Sequence, residues 1–178
     1  MTESRYKIRA ARLEDFSEIK ELYQAVAKIV GGIARTEEEI TDTYINRNLE
    51  NSLANGISLV IEEIGTNTLV GEIHCYKLDP KVFNHILSEL TIVVHPSYQS
   101  NGLGKMLFDE LFSIIESIKS DILRVELIAR ESNKRAIQFY ESIGFVIEGR
   151  FEKRIKSVDG SFEADIPMAW MNKNYQGV

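Results

Sequence analysis

Cysteine is almost absent from this 178-residue chain, and the single Cys75 excludes an internal disulfide. Within Val70-Gly-Glu-Ile-His-Cys-Tyr-Lys-Leu78, which reads as a strand, it is expected to be a buried structural thiol and not a nucleophile. No apolar run approaches the roughly 18 residues that cross a bilayer, so no membrane partner is expected. The opening Met1-Thr-Glu-Ser-Arg-Tyr-Lys-Ile lacks the apolar stretch of a secretory signal, and a cytoplasmic location is the default expectation. Basic excess is missing too. Lys and Arg number 21 against 27 Asp and Glu, and the net charge of −6 argues against a nucleic-acid partner. It is compatible with a cationic amine substrate. No linker, repeat or low-complexity segment interrupts the chain, so one domain spanning 1–178 is expected, with 44% hydrophobic residues to build its core.

Periodicity supplies the elements. Tyr6, Ile8 and Ala10 alternate with Lys7 and Arg9 as in a half-buried strand, and Phe16, Ile19, Leu22, Tyr23, Val26 and Ile29 recur at helical spacing. Gly31-Gly32 ends that helix, and Thr36-Glu-Glu-Glu39 reads as a capping box starting a second helix that runs to about Leu49 or Leu53. Its acidic run is read as mainly a helix start, favoured by the helix dipole. Ile57 to Ile64 and Thr68 to Leu78 form a hairpin around Gly65-Thr-Asn67, and Ile86 to His95 a central strand. Leu103, Leu107, Leu111, Ile114, Ile115 and Ile118 make an apolar helical stripe; Leu123 to Ala129 is a strand and Asn133 to Ile143 a helix. Phe145 to Val158 and Ser161 to Met171 close the chain as a hairpin with an Asp159-Gly160 turn, and Pro167 marks an edge or a bulge. The result is a mixed α/β fold around about seven strands and four helices.

Chemistry concentrates between Gln99 and Lys105. Gln-Ser-Asn-Gly-Leu-Gly-Lys follows the apolar run Leu90-Thr-Ile-Val-Val94 and precedes the apolar helix. A strand thus delivers a glycine-bearing loop to a helix N-terminus, whose first-turn N–H groups have no intrahelical acceptor and favour an anion. The expected ligand carries phosphate. A Walker loop is excluded because Gln99 and Met106 stand where a glycine and a magnesium-binding hydroxyl are needed. A dinucleotide fingerprint is disfavoured because Leu107 replaces its third glycine.

Gln99-x-x-Gly102-x-Gly104 after Val94-His95-Pro96 resembles the coenzyme A pyrophosphate loop of the GNAT N-acetyltransferase superfamily. Asn133-x-x-Ala136-x-x-x-Tyr140-x-x-x-Gly144-Phe145 is similar to the helix and strand that close that family's acetyl-CoA site, and Ile8-Arg9-Ala10-Ala11 with Asp15 to its first strand and helix. The resemblance implies a GNAT-like, mostly antiparallel sheet whose fourth and fifth strands splay to admit acetyl-CoA. It implies transfer of acetyl to a primary amine by direct attack in a ternary complex, with a silent coenzyme A sensor as the alternative. It leaves a homodimer through the terminal strands open.

Each expected site residue has a plainer reading. Gln99, Ser100, Asn101, Gly102, Leu103, Gly104 and Lys105 could form an ordinary strand-to-helix turn; the companion motifs favour coenzyme binding, chiefly through backbone amides, with Lys105 equally able to point into water. Ile92, Val93 and Val94 read as core side chains, while the resemblance implies that the backbone of Ile92 and Val94 holds the pantetheine arm and that an N–H near Val94 polarises the thioester carbonyl. Asn133 and Tyr140 lie two helical turns apart on one face. By periodicity alone Tyr140 is a packed aromatic; the resemblance makes it a general acid toward the departing thiolate. Glu89 is nominated as general base because it is the one carboxylate on the central strand, with Glu72, Glu62, His74 and a water chain as competitors. His85-x-x-x-Glu89 and His74-Cys75 lack metal-site spacing, so no metal is expected. Arg150, Lys153, Arg154 and Lys156 read as a solvated hairpin face. The acceptor stays open among small amines, polyamines, aminoglycosides, amino acids and protein N-termini.

Overall fold

The computed structural model describes residues 5–29, 32–157 and 159–177. The alternating N-terminal segment forms β1 (Tyr6–Ala10), and the helical pattern after it forms α1 (Phe16–Ala27). Arg9 ties the two together: its guanidinium donates to both Asp15 oxygens, at 2.7 and 2.8 Å, and Asp15 also accepts the Arg12 N–H at 2.7 Å. Burial works against the Asp15 charge, yet the Arg9 guanidinium prevails and holds the carboxyl below its ordinary range. α1 stops at Ala27, short of Ile29; of the Gly31-Gly32 pair expected to end it, Gly31 lies outside the described residues.

The second helix starts later than the Thr36 capping box suggests. The box closes, with the Thr36 N–H donating to Glu39 at 2.8 Å, but its turn covers only Glu37–Glu39. Ile40 then leaves the helical region, at φ −82° and ψ 69°, and buries its side chain against α1. Thr41 caps a second start by accepting the Tyr44 N–H, and α2 runs Asp42–Asn55. Burial of one isoleucine decides between two adequate caps.

β2 (Gly56–Glu63) and β3 (Thr68–Tyr76) form the expected hairpin, followed by β4 (Ile86–Val94), α3 (Leu103–Ser117), β5 (Arg124–Arg130) and α4 (Lys134–Ser142). Val158 lies outside the described residues, and among the described ones the expected strand from Phe145 onward is two, β6 (Val146–Ile147) and β7 (Phe151–Lys156), both antiparallel to β8 (Phe162–Met171), which brings the expected sheet of about seven strands to eight. Pro167 on β8 is the physical reason. It accepts the Glu148 N–H at 3.0 Å but has no N–H to return, and the ladder lapses there. Gly149 sits beside the ring, where a Cβ would lie 3.7 Å from Pro167 Cγ. At the final hairpin the Ser157 N–H donates to Ser161 O at 2.9 Å, and Gly160 is left-handed at φ +84°.

The strand order is β1-β2-β3-β4-β5-β8-β6, with β7 also on β8. α3 covers one face with Leu103, Leu107, Phe108, Leu111 and Ile115, while α1 and α2 cover the other with Ile19, Leu22, Tyr23, Ile45 and Leu49. Fully burying each such side chain contributes about 1.5–3 kcal/mol. Among the described residues no helix is long and apolar enough to cross a membrane.

One irregularity positions everything that follows. β4 and β5 are parallel and pair only at Ile86 with Arg124 and Leu87 with Val125. Opposite, β4 carries one residue more than β3, since His74 faces Thr91 while Tyr76 faces Ser88, and Glu89 takes φ +55° in that bulge. A bulge bends its strand and re-aims side chains. β4 and β5 consequently splay, with Ser88 Oγ donating to Glu126 at 2.5 Å where the backbone ladder ends.

Candidate active site

The splay leaves one edge of β4 without a neighbour. The His95 N–H bonds to Val70 O, so by antiparallel alternation Val93 and Thr91 also face β3, and the backbone of Val94 and Ile92 faces the opening. Val94 O accepts from the Gln99 side chain at 3.2 Å, which leaves its N–H directed into the cleft. Ile92, Val93 and Val94 line a cavity of about 460 Å³, as do Gln99, Ser100, Gly102, Leu103, Gly104 and Lys105.

The loop is built to expose amides. Ser100 and Gly102 are both left-handed, at φ 66° and 76°, and Gly102 is the N-cap of α3. The first helical bond is from the Met106 N–H to Gly102 O, so the N–H groups of Leu103, Gly104 and Lys105 precede the ladder and are available to an anion. Asn101 does not line the cavity; its amide donates to Tyr98 O at 3.0 Å and clamps the loop from behind. Lys105 is engaged by Asp109 one turn on, at 2.7 Å on an exposed face. The second cation at the rim is one that sequence reasoning missed: Arg135 lines the same cavity and donates to Ser100 Oγ at 3.1 Å.

The two glycines respond differently to a methyl group. Gly102→Ala places an L-residue at φ 76° and is expected to cost about 1–2 kcal/mol of stability. Gly104 is helical, and a Cβ there meets only Ile92 and Phe139 at 3.8 and 3.9 Å, so Gly104→Ala is expected to be neutral or to stabilise by up to about 1 kcal/mol. Urea unfolding of the two variants measures the contrast, and equal losses would remove the assignment.

α4 supplies the other wall through Asn133, Arg135, Ala136, Phe139 and Tyr140. Asn133 caps the helix by accepting the Ala136 N–H at 3.2 Å. Gly144 at φ +100° turns the chain after α4 and sends Phe145 into the core. The Tyr140 ring packs among Phe108, Phe139 and Phe145 at 5.7 to 5.9 Å between centroids. Burial pushes its phenol up to about 12, so it is a proton-bearing donor throughout the physiological range.

Glu89, the expected base, lies outside this cavity and lines a neighbouring pocket of about 180 Å³ together with Thr91, His74, Tyr44, Arg35 and Arg47. Consecutive residues divide the two spaces: Thr91 lines the pocket and Ile92 the cavity, as do Ile33 and Gly32 on the opposite wall. Of the competitors, His74 borders the pocket, whereas Glu72 lies beneath it, held by Tyr23 Oη at 2.7 Å and Ser58 Oγ at 3.1 Å. Tyr23 donates to Glu72, and the Glu72 oxygens also lie 3.1 and 3.2 Å from His74 Nδ1, an arrangement that favours the tautomer with the proton on Nδ1. Glu62 bonds to Arg9 at 2.6 Å and lines neither space. Cys75 is fully buried, and burial pushes its thiol far above the ordinary range, which suits the structural reading. The basic hairpin face carries carboxylate partners, Arg150 with Glu131 and Arg154 with Asp165.

A ribosomal protein bS18-alanine N-acetyltransferase from Escherichia coli is 41% identical over 63 residues, covering 34% of this chain and 41% of the relative. A spermidine N(1)-acetyltransferase from the same organism is 26% identical over 95 residues, 51% of this chain and 48% of the relative. The chain therefore spans less than half the length of these curated relatives. A phosphinothricin acetyltransferase of the GNAT superfamily from Sinorhizobium meliloti, solved in complex with acetyl-CoA, shares the fold at a TM-score of 0.82 with 15% identity, covering 98% of this chain and 94% of that one. The profile of the acetyltransferase (GNAT) family matches residues 16–145, from the start of α1 through the helix that carries Tyr140, and the chain belongs to that family of acetyltransferases.

Proposed function

We propose that the chain moves an acetyl group from acetyl-CoA to a primary amine by direct attack in a ternary complex. One observation carries this reading: a single cavity is lined by the first turn of α3, whose amides precede its ladder, by the open edge of β4 and by Tyr140. The amides of Leu103 to Lys105 hold the pyrophosphate, with Arg135 adding charge at the rim. From there the pantetheine arm follows β4 as an added strand would, which carries the thioester past Val94 toward the bulge at Glu89. The Val94 N–H donates to the thioester carbonyl and stabilises the charge that builds on its oxygen. The amine nitrogen bonds to the carbonyl carbon, the C–S bond breaks, and the thiolate departs beside Tyr140. Glu89 takes the proton that the attacking amine gives up.

Glu89→Gln tests the base. The expected loss in kcat/KM at pH 7 is about 100-fold, the low end for general-base catalysis because water can partly replace the carboxylate. An aliphatic amine with an ordinary pKa near ~10.4 is mostly protonated at pH 7, so the free-amine fraction rises about tenfold per pH unit. The defect should shrink as pH rises toward 9. A loss of less than about threefold at pH 7 would transfer the role to His74, which borders the same pocket. Binding of acetyl-CoA by calorimetry with no thiol release across an amine panel would instead indicate a coenzyme A sensor.

A further inference from the structure

We infer that the amine acceptor also carries an acidic group, a carboxylate or phosphonate, held by Arg35 and Arg47 in the pocket that Glu89 borders. This rests on the acetyltransferase reading above. Both arginines line that pocket and both lie over the Tyr44 ring, at 4.0 and 5.8 Å from its centroid. Tyr44 is itself fixed at the start of α2 by the Thr41 cap. The stacking orients the two guanidinium groups without using their N–H donors.

Among the described residues Arg12, Arg35, Arg47 and Arg135 form no ion pair, whereas Arg5, Arg9, Arg124, Arg130, Arg150 and Arg154 all do. Of those four, Arg135 is engaged by Ser100 at the rim of the other cavity, and Arg35 and Arg47 are the two that line one pocket together. The larger cleft of about 600 Å³ that Glu89 also borders offers no comparable donors, because its two arginines are already held, Arg124 by Glu126 and Glu148 and Arg154 by Asp165. In the smaller pocket two guanidinium groups face one lining carboxylate, Glu89. The local balance is positive although the whole chain carries −6.

That arrangement is polar in a useful sense. Two planar forks match the oxygens of a carboxylate or phosphonate, and Glu89, on the β4 wall, attracts the ammonium end of the same molecule. Anchoring the acid at Arg35 and Arg47 thus directs the amine toward β4, where Ile92, one residue from Thr91, already belongs to the coenzyme cavity. A polyamine has only cations to offer the two arginines. A peptide N-terminus has an amide where the acid would sit.

The test uses the full chain, saturating acetyl-CoA and matched acceptors whose amine is kept while the acid is neutralised. L-amino acids are compared with their amides, and 2-aminoethylphosphonate with ethanolamine, alongside spermidine and a peptide with N-terminal alanine. The acid member of each pair should exceed its neutral twin by at least tenfold in kcat/KM, with spermidine and the peptide lower still. Arg35→Gln and Arg47→Gln should each raise KM for the acid roughly tenfold to hundredfold, as expected for a lost hydrogen bond to a charged group, and leave KM for acetyl-CoA unchanged. Arg47→Lys should retain part of the effect. Neutral twins or spermidine used as well as the acids, arginine variants with unchanged KM, or acetyl-CoA binding without turnover of any acid-bearing amine would each overturn the inference alone. Failure of acetyl-CoA to bind in calorimetry would overturn the acetyltransferase reading beneath it.

Discussion

Tyr140→Phe is expected to lower kcat by about 100- to 1,000-fold, the effect of removing one donor from a site of developing negative charge. The substitution isolates the hydroxyl, because phenylalanine keeps the ring contacts with Phe108, Phe139 and Phe145. KM for acetyl-CoA and the unfolding midpoint should both stay near wild type. The pH dependence narrows the role further. With the phenol pushed up to about 12 by burial, its proton is fully present below that value and is lost only as pH rises through it, so no alkaline limb from Tyr140 should appear in kcat between pH 6 and 10. A departing thiolate, whose thiol has an ordinary pKa near ~8.5, is a weaker base than this phenolate. On the proposed mechanism Tyr140 is then a hydrogen-bond donor to sulfur while the C–S bond breaks, and the proton that finally neutralises the thiolate comes from water or from Glu89, which took it from the amine. Unchanged kcat in the variant would remove the role. A kcat loss matched by a fallen midpoint would make Tyr140 part of the core instead.

The parts of this site that were legible in the sequence are those set by local chemistry. Gly102 and Gly104 between an apolar strand and an apolar helix mark a loop delivered to a helix N-terminus, and the loop lies where that pattern puts it, with Gly102 at the N-cap of α3. Pro167 marked an edge or a bulge; β8 is not an edge, being paired with β5 on one side and with β6 and β7 on the other, and the irregularity is the break between β6 and β7. What was not legible depends on tertiary placement. Thr36 and Thr41 are both acceptable caps, and only the burial of Ile40 decides which one starts α2. The bulge in β4 has no local signature, since Glu89 at φ +55° is neither glycine nor asparagine. Arg135 stood two residues beyond Asn133 in a segment already singled out, but its partner Ser100 is 35 positions away. Arg35 and Arg47 look like any solvated arginines until the turn before α2 folds against β4.

Glu72→Ala is expected to cost about 3–5 kcal/mol and to lower the unfolding midpoint by about 10 °C, because it orphans three buried donors at once. Tyr23 is fully buried, Glu72 is 2% exposed and His74 4%. The Tyr23 O–H, the Ser58 O–H and the His74 ring all converge on the Glu72 oxygens, linking α1, β2 and β3 beneath the pocket that Glu89 borders. Burial first, and the neighbouring Glu72 second, hold the Tyr23 phenol far above its ordinary range, so it stays a donor at every accessible pH. Once the carboxyl is gone the Tyr23 proton can turn only to His74 Nδ1, 3.2 Å away, and only if that ring changes tautomer. Glu72→Gln keeps the volume and one acceptor oxygen, and its loss should be roughly half as large. Tyr23→Phe removes one donor and leaves the carboxyl with Ser58 and His74, for about 1–3 kcal/mol. Urea unfolding of the three variants gives the ranking, and an alanine variant within 1 kcal/mol of wild type would show that the cluster is not a structural support. Because His74 lines the pocket from above this cluster, Glu72→Gln should also raise KM for the amine acceptor more than KM for acetyl-CoA, since the cavity proposed for the coenzyme takes only Val26 from α1, β2 and β3 and its other walls from the segment after α1, the far end of β4, the loop before α3, α3 and α4.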